Sequence, residues 1–164
     1  MKKIIFAAVL AAVLIVSCNS REHVSAAAQE REIRGIPAEN FLDITGKEWK
    51  LTEVWINGFN SNFSRETVGD AFKEAFLIGF DAEMVFGTGA PNRFSAPYSL
   101  GENQTINIGL VRSTMMASIF EPEGLSEHNF FNYVQNSFEW KLSDRELHLH
   151  SKTDNIASIV LVFE

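Results

Sequence analysis

Three groups of residues have the types and spacing to do chemistry. The stretch "GTGAPNRF", 87–94, is a Gly-rich loop of the kind that can cradle a phosphate. It lacks the Lys-Ser/Thr pair that phosphate loops place next to a helix N-terminus, so nucleotide binding is not expected. Gly87 and Gly89 read more simply as residues of a turn or of a close backbone approach, with Asn92 hydrogen-bonding the loop to itself. Arg93, beside Asn92, could hold a carboxylate or phosphate bidentately, or could brace the loop against a neighbouring strand. Asn92 and Arg93 are therefore the candidate recognition pair. The second group, "ELHLH", puts Glu146, His148 and His150 on one strand face with Leu147 and Leu149 on the other. Histidines at i and i+2 can bind a transition metal if a third ligand approaches from the side; the commoner explanation is an exposed polar face of an edge or outer strand. These are weak metal candidates, and no resident metal or cofactor is expected. The third is Cys18, the only cysteine of the chain.

Other constellations are structural. No serine sits in a G-x-S-x-G elbow and no H-E-x-x-H helix is present. Asp81 and Glu83 read as a turn and a strand start, not an acid–base pair. Met115-Met116 and the phenylalanines at 72, 76, 80, 86, 94, 130, 131 and 138 could line a pocket inside a curled sheet, but a small domain needs them as core. His23 falls in a polar segment and His128 on a helix surface. Catalysis is not expected of this chain.

Cys18 carries an address. Lys2 and Lys3 precede an apolar run, Ile4 to Val16, which is the layout of a signal peptide. As a helix this run would reach roughly 20 Å, short of a bilayer core of about 30 Å. Ile15, Val16 and Ser17 before Cys18 resemble the lipobox cut by the bacterial lipoprotein signal peptidase. A thiolate is the side chain best suited to take a diacylglyceryl group, and two or more acyl chains hold a protein stably at a membrane. The alternative is an ordinary secretory signal cut near Ala26 to Ala28. The expected organisation is thus a signal peptide over 1–17, a lipidated N-terminus and flexible tether over 18–40, and a domain over 41–164, anchored in the bacterial cell envelope.

Loss of residues 1–17 removes two of the 14 basic side chains and none of the 21 acidic ones, taking the formal charge from −7 to −9. No basic stripe remains, which argues against nucleic acid as a partner and against electrostatic adhesion to anionic lipid. With no further thiol, the domain must hold by packing alone.

From Phe41 the hydrophobic period is mostly two. In "GKEWKLTEVWING" a regular strand would put Trp49, Leu51 and Trp55 on one face, ending in a turn at Asn57-Gly58. "FSRETVGDAFKEAF" switches to helical spacing, with Val68, Ala71, Phe72 and Ala75 on one stripe, Ser64 as N-cap and Phe63 stapled onto Val68. "AFLIGFDAEMVFGTG" reads as strand, turn at Asp81-Ala82 and strand, then a loop running into "NRFSAPYSL"; "QTINIGLV" is a further strand. "GLSEHNFFNYVQNSF" is a second helix, capped by Ser126 with Leu125 stapled onto Phe130, and three strands separated by turns at 143–145 and 152–155 end the chain. The expected fold is α+β: a mostly antiparallel, curled sheet or small distorted β-barrel with one or two short helices.

Residues 44 to 163 resemble the META/HslJ (DUF306) family of small bacterial envelope domains. "ITGKEWKLTEVWING" is similar to its opening strand, and "VFGTGAPNRFSAPYSL" to its pattern of glycine, Cys-Asn, small residue and tyrosine. "INIGLVRSTMMAS" resembles its strand followed by Ser/Thr-x-Met-Ala-Cys, and "HNFFNYVQNSFEWKLSDRELHLHS" its helix, strand and turn. Where relatives carry the two cysteines this chain has Pro91 and Ser118, and their joint replacement implies that the two positions are neighbours. The resemblance implies a β-rich fold, envelope association and a part in stress tolerance, without a catalytic activity. The expected function is protein interaction or envelope maintenance; the alternatives are a ligand- or metal-ion-binding module and an inhibitor of an envelope hydrolase.

Overall fold

A computed structural model describes residues 40–164, apart from 118, 119, 144 and 155. The expected signal peptide, Cys18 and the expected tether up to residue 39 lie outside the described residues. None of the described helices is long and apolar enough to cross a membrane.

The described chain forms one antiparallel sheet of ten strands. They are β1 (Glu48–Ile56), β2 (Phe59–Asn60), β3 (Leu77–Phe80), β4 (Met84–Thr88), β5 (Arg93–Leu100), β6 (Ile106–Ile108), β7 (Arg112–Ser113), β8 (Ser137–Leu142), β9 (Leu147–Thr153) and β10 (Ile156–Phe163). Their order is β6-β5-β4-β3-β1-β10-β9-β8, with β2 appended to β1 and β7 to β5. A bridge between Thr105 and Glu139, and the bond from Trp140 N to Gln104 O at 2.9 Å, join the ends, so the sheet curls into a nearly closed barrel. Closure removes most of the unpaired edge that an open sheet would expose.

Tight turns set the register. Asn57 and Gly58 both have positive φ, 51° and 82°, the conformation that suits a two-residue hairpin between Ile56 and Phe59. Asp81 turns β3 into β4 by accepting from Glu83 N at 2.9 Å and Met84 N at 2.7 Å, and these two bonds hold its carboxyl below the usual carboxylate range.

Rings fill both ends of the barrel. At one end Phe41, in a 3₁₀ turn over Phe41–Asp43, packs its ring 5.2 Å from Phe80, 5.4 Å from Tyr98 and 5.1 Å from Trp140. At the other, helix α2 (Glu127–Gln135) inserts Phe130 edge-on against Phe76 at 5.3 Å and Phe94 at 5.9 Å. Ser126 caps α2, accepting from Asn129 N at 3.2 Å, as its sequence predicts. Leu51, Val54, Leu147, Leu149, Ile159 and Leu161, all buried, line the wall between.

Four local expectations need correction. Trp55 does not share the inner face with Trp49 and Leu51: the register slips by one residue between Leu51 and Glu53, Val54 turns inward instead, and the Trp55 indole donates to Glu53 Oε2 at 2.8 Å. The helix expected over 64–75 is only α1 (Arg65–Val68) followed by a 3₁₀ turn, Asp70–Phe72, because Gly69 takes φ 70°, ψ 165° and breaks the ladder. Met115 and Met116 are not core: they are 98% and 54% exposed. Phe86 and Phe138 are also largely exposed, whereas Phe76, Phe80, Phe94 and Phe130 are buried as expected.

Two outcomes test this account. Phe41→Ala should lower the unfolding free energy by about 3–5 kcal/mol, as expected for a buried aromatic, while Leu42→Ala next to it should change it by less than about 0.5 kcal/mol; urea denaturation measures both. Because the carboxyl of Asp81 is depressed in the folded state, its contribution to stability is present above the unfolded carboxylate value near pH 4 and is lost as pH falls through the folded one. Asp81→Ala should therefore flatten the decline of stability with acid below about pH 4, read from melting temperatures across pH 2 to 6.

Candidate functional site

The loop between β4 and β5 ends at Asn92, with Arg93 opening β5, and lies against α2 and the segment that follows β7. The Ala90-Pro91 peptide is cis. Asn92 is buried, and each atom of its side-chain amide is engaged. Nδ2 donates to Glu127 Oε2 at 2.6 Å and to Met116 O at 2.9 Å. Oδ1 accepts from Met116 N at 2.7 Å and from the Thr114 hydroxyl at 2.8 Å.

Glu127, the first residue of α2, completes the frame. Its Oε1 accepts from Asn92 N at 2.7 Å and from Ala90 N. A carboxylate there also complements the positive end of the helix. The loop approaches so closely that a Cβ on Gly89 would come within 2.6 Å of Glu127 Oε1 and 2.7 Å of the Phe131 ring. Gly89 is therefore required for close contact with α2. Three segments distant in sequence are thus tied by one amide and one carboxylate.

Arg93 has the opposite setting. Its backbone enters the sheet, accepting from Thr114 N at 3.0 Å and donating to Thr114 Oγ1 at 3.2 Å, while its side chain is exposed with no ion-pair partner among the described residues. Phe94 and Ala96 point into the barrel, so Arg93 and Ser95 point out. Ser95 lies opposite Arg112 of β7, which is also exposed. Arg93 and Arg112 are accordingly diagonal neighbours on the outer face, roughly 7–8 Å apart.

The Glu146, His148 and His150 group lies elsewhere, on β9 between β8 and β10. Leu147 and Leu149 do face inward, but His148 is 4% exposed and does not belong to an exposed polar face, since β9 is paired on both sides. Its Nε2 meets Glu146 Oε2 at 2.9 Å, and His150 Nδ1 lies 4.0 Å from Glu139 Oε2, which also pairs with Lys141 at 3.3 Å. Among the described residues no three His, Cys, Asp or Glu side chains converge as metal ligands. Ser118 is outside the described residues, but the bonds between Asn92 and Met116 bring together the segments that carry Pro91 and Ser118.

Glu127 was not singled out from sequence. Its visible signal is an acidic residue directly after an N-cap serine, which is ordinary helix chemistry; that it reaches a loop 35 residues earlier is a tertiary fact.

A small antiparallel barrel plugged by one helix, with a motif loop fastened to that helix, is the class of domain the structure defines. Residues 42–161 match the META domain model, and the chain belongs to that family. No curated protein is a significant match. Two solved structures share the fold. One is the NMR structure of a protein from Burkholderia xenovorans, 18% identical, covering 75% of this chain and 83% of its own, TM-score 0.55. The other is the crystal structure of a DUF4847 family protein from Bacteroides vulgatus, 14% identical, covering 75% and 94%, TM-score 0.51.

Asn92→Ala should lower stability by about 3 kcal/mol, since it leaves buried groups of Glu127 and Met116 without partners, whereas Arg93→Ala should stay within about 0.5 kcal/mol. Urea titration of the two variants separates the framing residue from the exposed one.

Proposed function

We propose that this chain is a lipid-anchored bacterial envelope protein whose META domain acts by binding another protein, without a catalytic step. The anchor rests on the lipobox-like residues Ile15, Val16 and Ser17 before Cys18, behind a basic and then apolar leader. The binding reading rests on one observation: the motif loop turns its polar chemistry inward through Asn92 and presents outward a cation, Arg93, beside a second, Arg112, and two exposed methionines. Arginine and methionine are residue types that protein interfaces favour. Envelope maintenance under stress is the setting this reading assigns to the partner.

Two measurements test it. The wild-type chain should fractionate with membranes and yield an acylated N-terminal peptide beginning at Cys18 by mass spectrometry; Cys18→Ser should move it to the soluble fraction. Recovery of an unacylated N-terminus downstream of residue 18 would sink the anchor. Affinity capture from an envelope extract should retain a partner on the wild-type chain and lose it on Arg93→Ala, with both variants equally stable; equal capture by both would remove the loop from the binding surface.

A further inference from the structure

β7 is a two-residue strand that pairs only with the start of β5. Thr114 faces β5 through its bonds to Arg93, and Met116 faces the loop through its bonds to Asn92. By the alternation of an extended chain, Ser113 and Met115 then direct their backbone N–H and C=O groups the other way. On that side the Val111 N–H donates to Gln135 Oε1 of helix α2 at 2.9 Å. Outside the strand ladder with β5, Ser113 and Met115 make no backbone–backbone hydrogen bond among the described residues.

This short edge carries three exposed apolar side chains, among them Met115, the most exposed large apolar residue among the described ones. Leu110 is 67% exposed, Met115 98% and Met116 54%. It also borders Arg93 and Arg112, which have no ion-pair partner among the described residues, in a chain whose net charge is −7. The edge is held ready, because Asn92 and Thr114 fix residues 114 to 116 in place from the loop side.

We infer that the 110–117 edge accepts an extended segment of a partner protein as an added strand, with acidic side chains on the face of Arg93 and Arg112 and apolar ones on the face of Met115. Backbone groups of Ser113 and Met115 supply the pairing, and the arginines select for negative charge at alternate positions. Charge complementarity and the two-residue period of a strand together specify this occupant. The inference rests on the protein-interaction reading above and gives it a surface and a partner chemistry.

The test is hydrogen-exchange mass spectrometry on the full chain in detergent micelles, with a synthetic heptapeptide alternating glutamate and valine. The peptide should slow exchange across 110–117 by about tenfold or more, corresponding to about 1.4 kcal/mol of protection. The same peptide with lysine for glutamate should not, and Arg112→Glu should abolish the effect. Equal protection by both peptides, or protection only at another strand, overturns the inference. Concentration-dependent protection without peptide also overturns it, by making a second copy the occupant. Envelope capture run in parallel separates the two levels. If peptide protection is absent while wild-type and Arg112→Glu chains retain the same envelope protein, the edge assignment falls and the interaction reading stands. If peptide protection is absent and neither chain retains anything, both are removed.

Discussion

The bonds between the Glu127 carboxylate and the Asn92 amide hold the organisation of this domain's working end. Each group has several bonding positions, and the frame fills them with backbone as well as with each other. Buried polar groups that are all satisfied stiffen a structure, whereas a single missing partner leaves a desolvated group exposed to its full penalty. Helix α2, the β4–β5 loop and the segment after β7 are therefore one unit. The relation is reciprocal: the same α2 that supplies Glu127 also drives Phe130 into the barrel, so apolar packing positions the carboxylate and the carboxylate positions the loop.

This frame holds the loop without a covalent link, since no cysteine lies within residues 41–164. Asn92 ties its loop to residues 114–116 through three hydrogen bonds, one with Thr114 and two with Met116, and to α2 through a fourth, with Glu127. The loop keeps its shape independently of redox conditions, which suits a chain whose single thiol stands far from the domain in sequence.

The parts of the fold that were legible in the sequence are those that local chemistry decides. Asp81 makes its turn from its own carboxylate, Asn57-Gly58 tolerates positive φ, and Ser126 caps α2 without reference to the rest of the chain. What was not legible depends on partners far away. The side on which Trp55 falls is set by a slip against β10, and β5 was obscured by Pro97, which interrupts a strand pattern yet whose carbonyl accepts from Gly109 N at 2.8 Å. The candidate pair at 92–93 was readable as a site, but adjacency hid its division of labour. One side chain faces Glu127 and the other faces solvent because strand alternation begins between them.

Phe41 and β1 give the domain a mechanical axis. Phe41 is wedged among Phe80, Tyr98 and Trp140 at one end of the barrel, while Arg93 sits about five strand residues, roughly 17 Å, from the level of Tyr98. A load between residue 40 and the far end would first have to withdraw the Phe41 ring, then pull β1 lengthwise. Since β1 is bonded to β3 along its first residues and to β10 along the rest, the pull would shear those hydrogen bonds together instead of unzipping them one at a time. The barrel is thereby braced along the line on which a tethered domain holding a partner would be stretched.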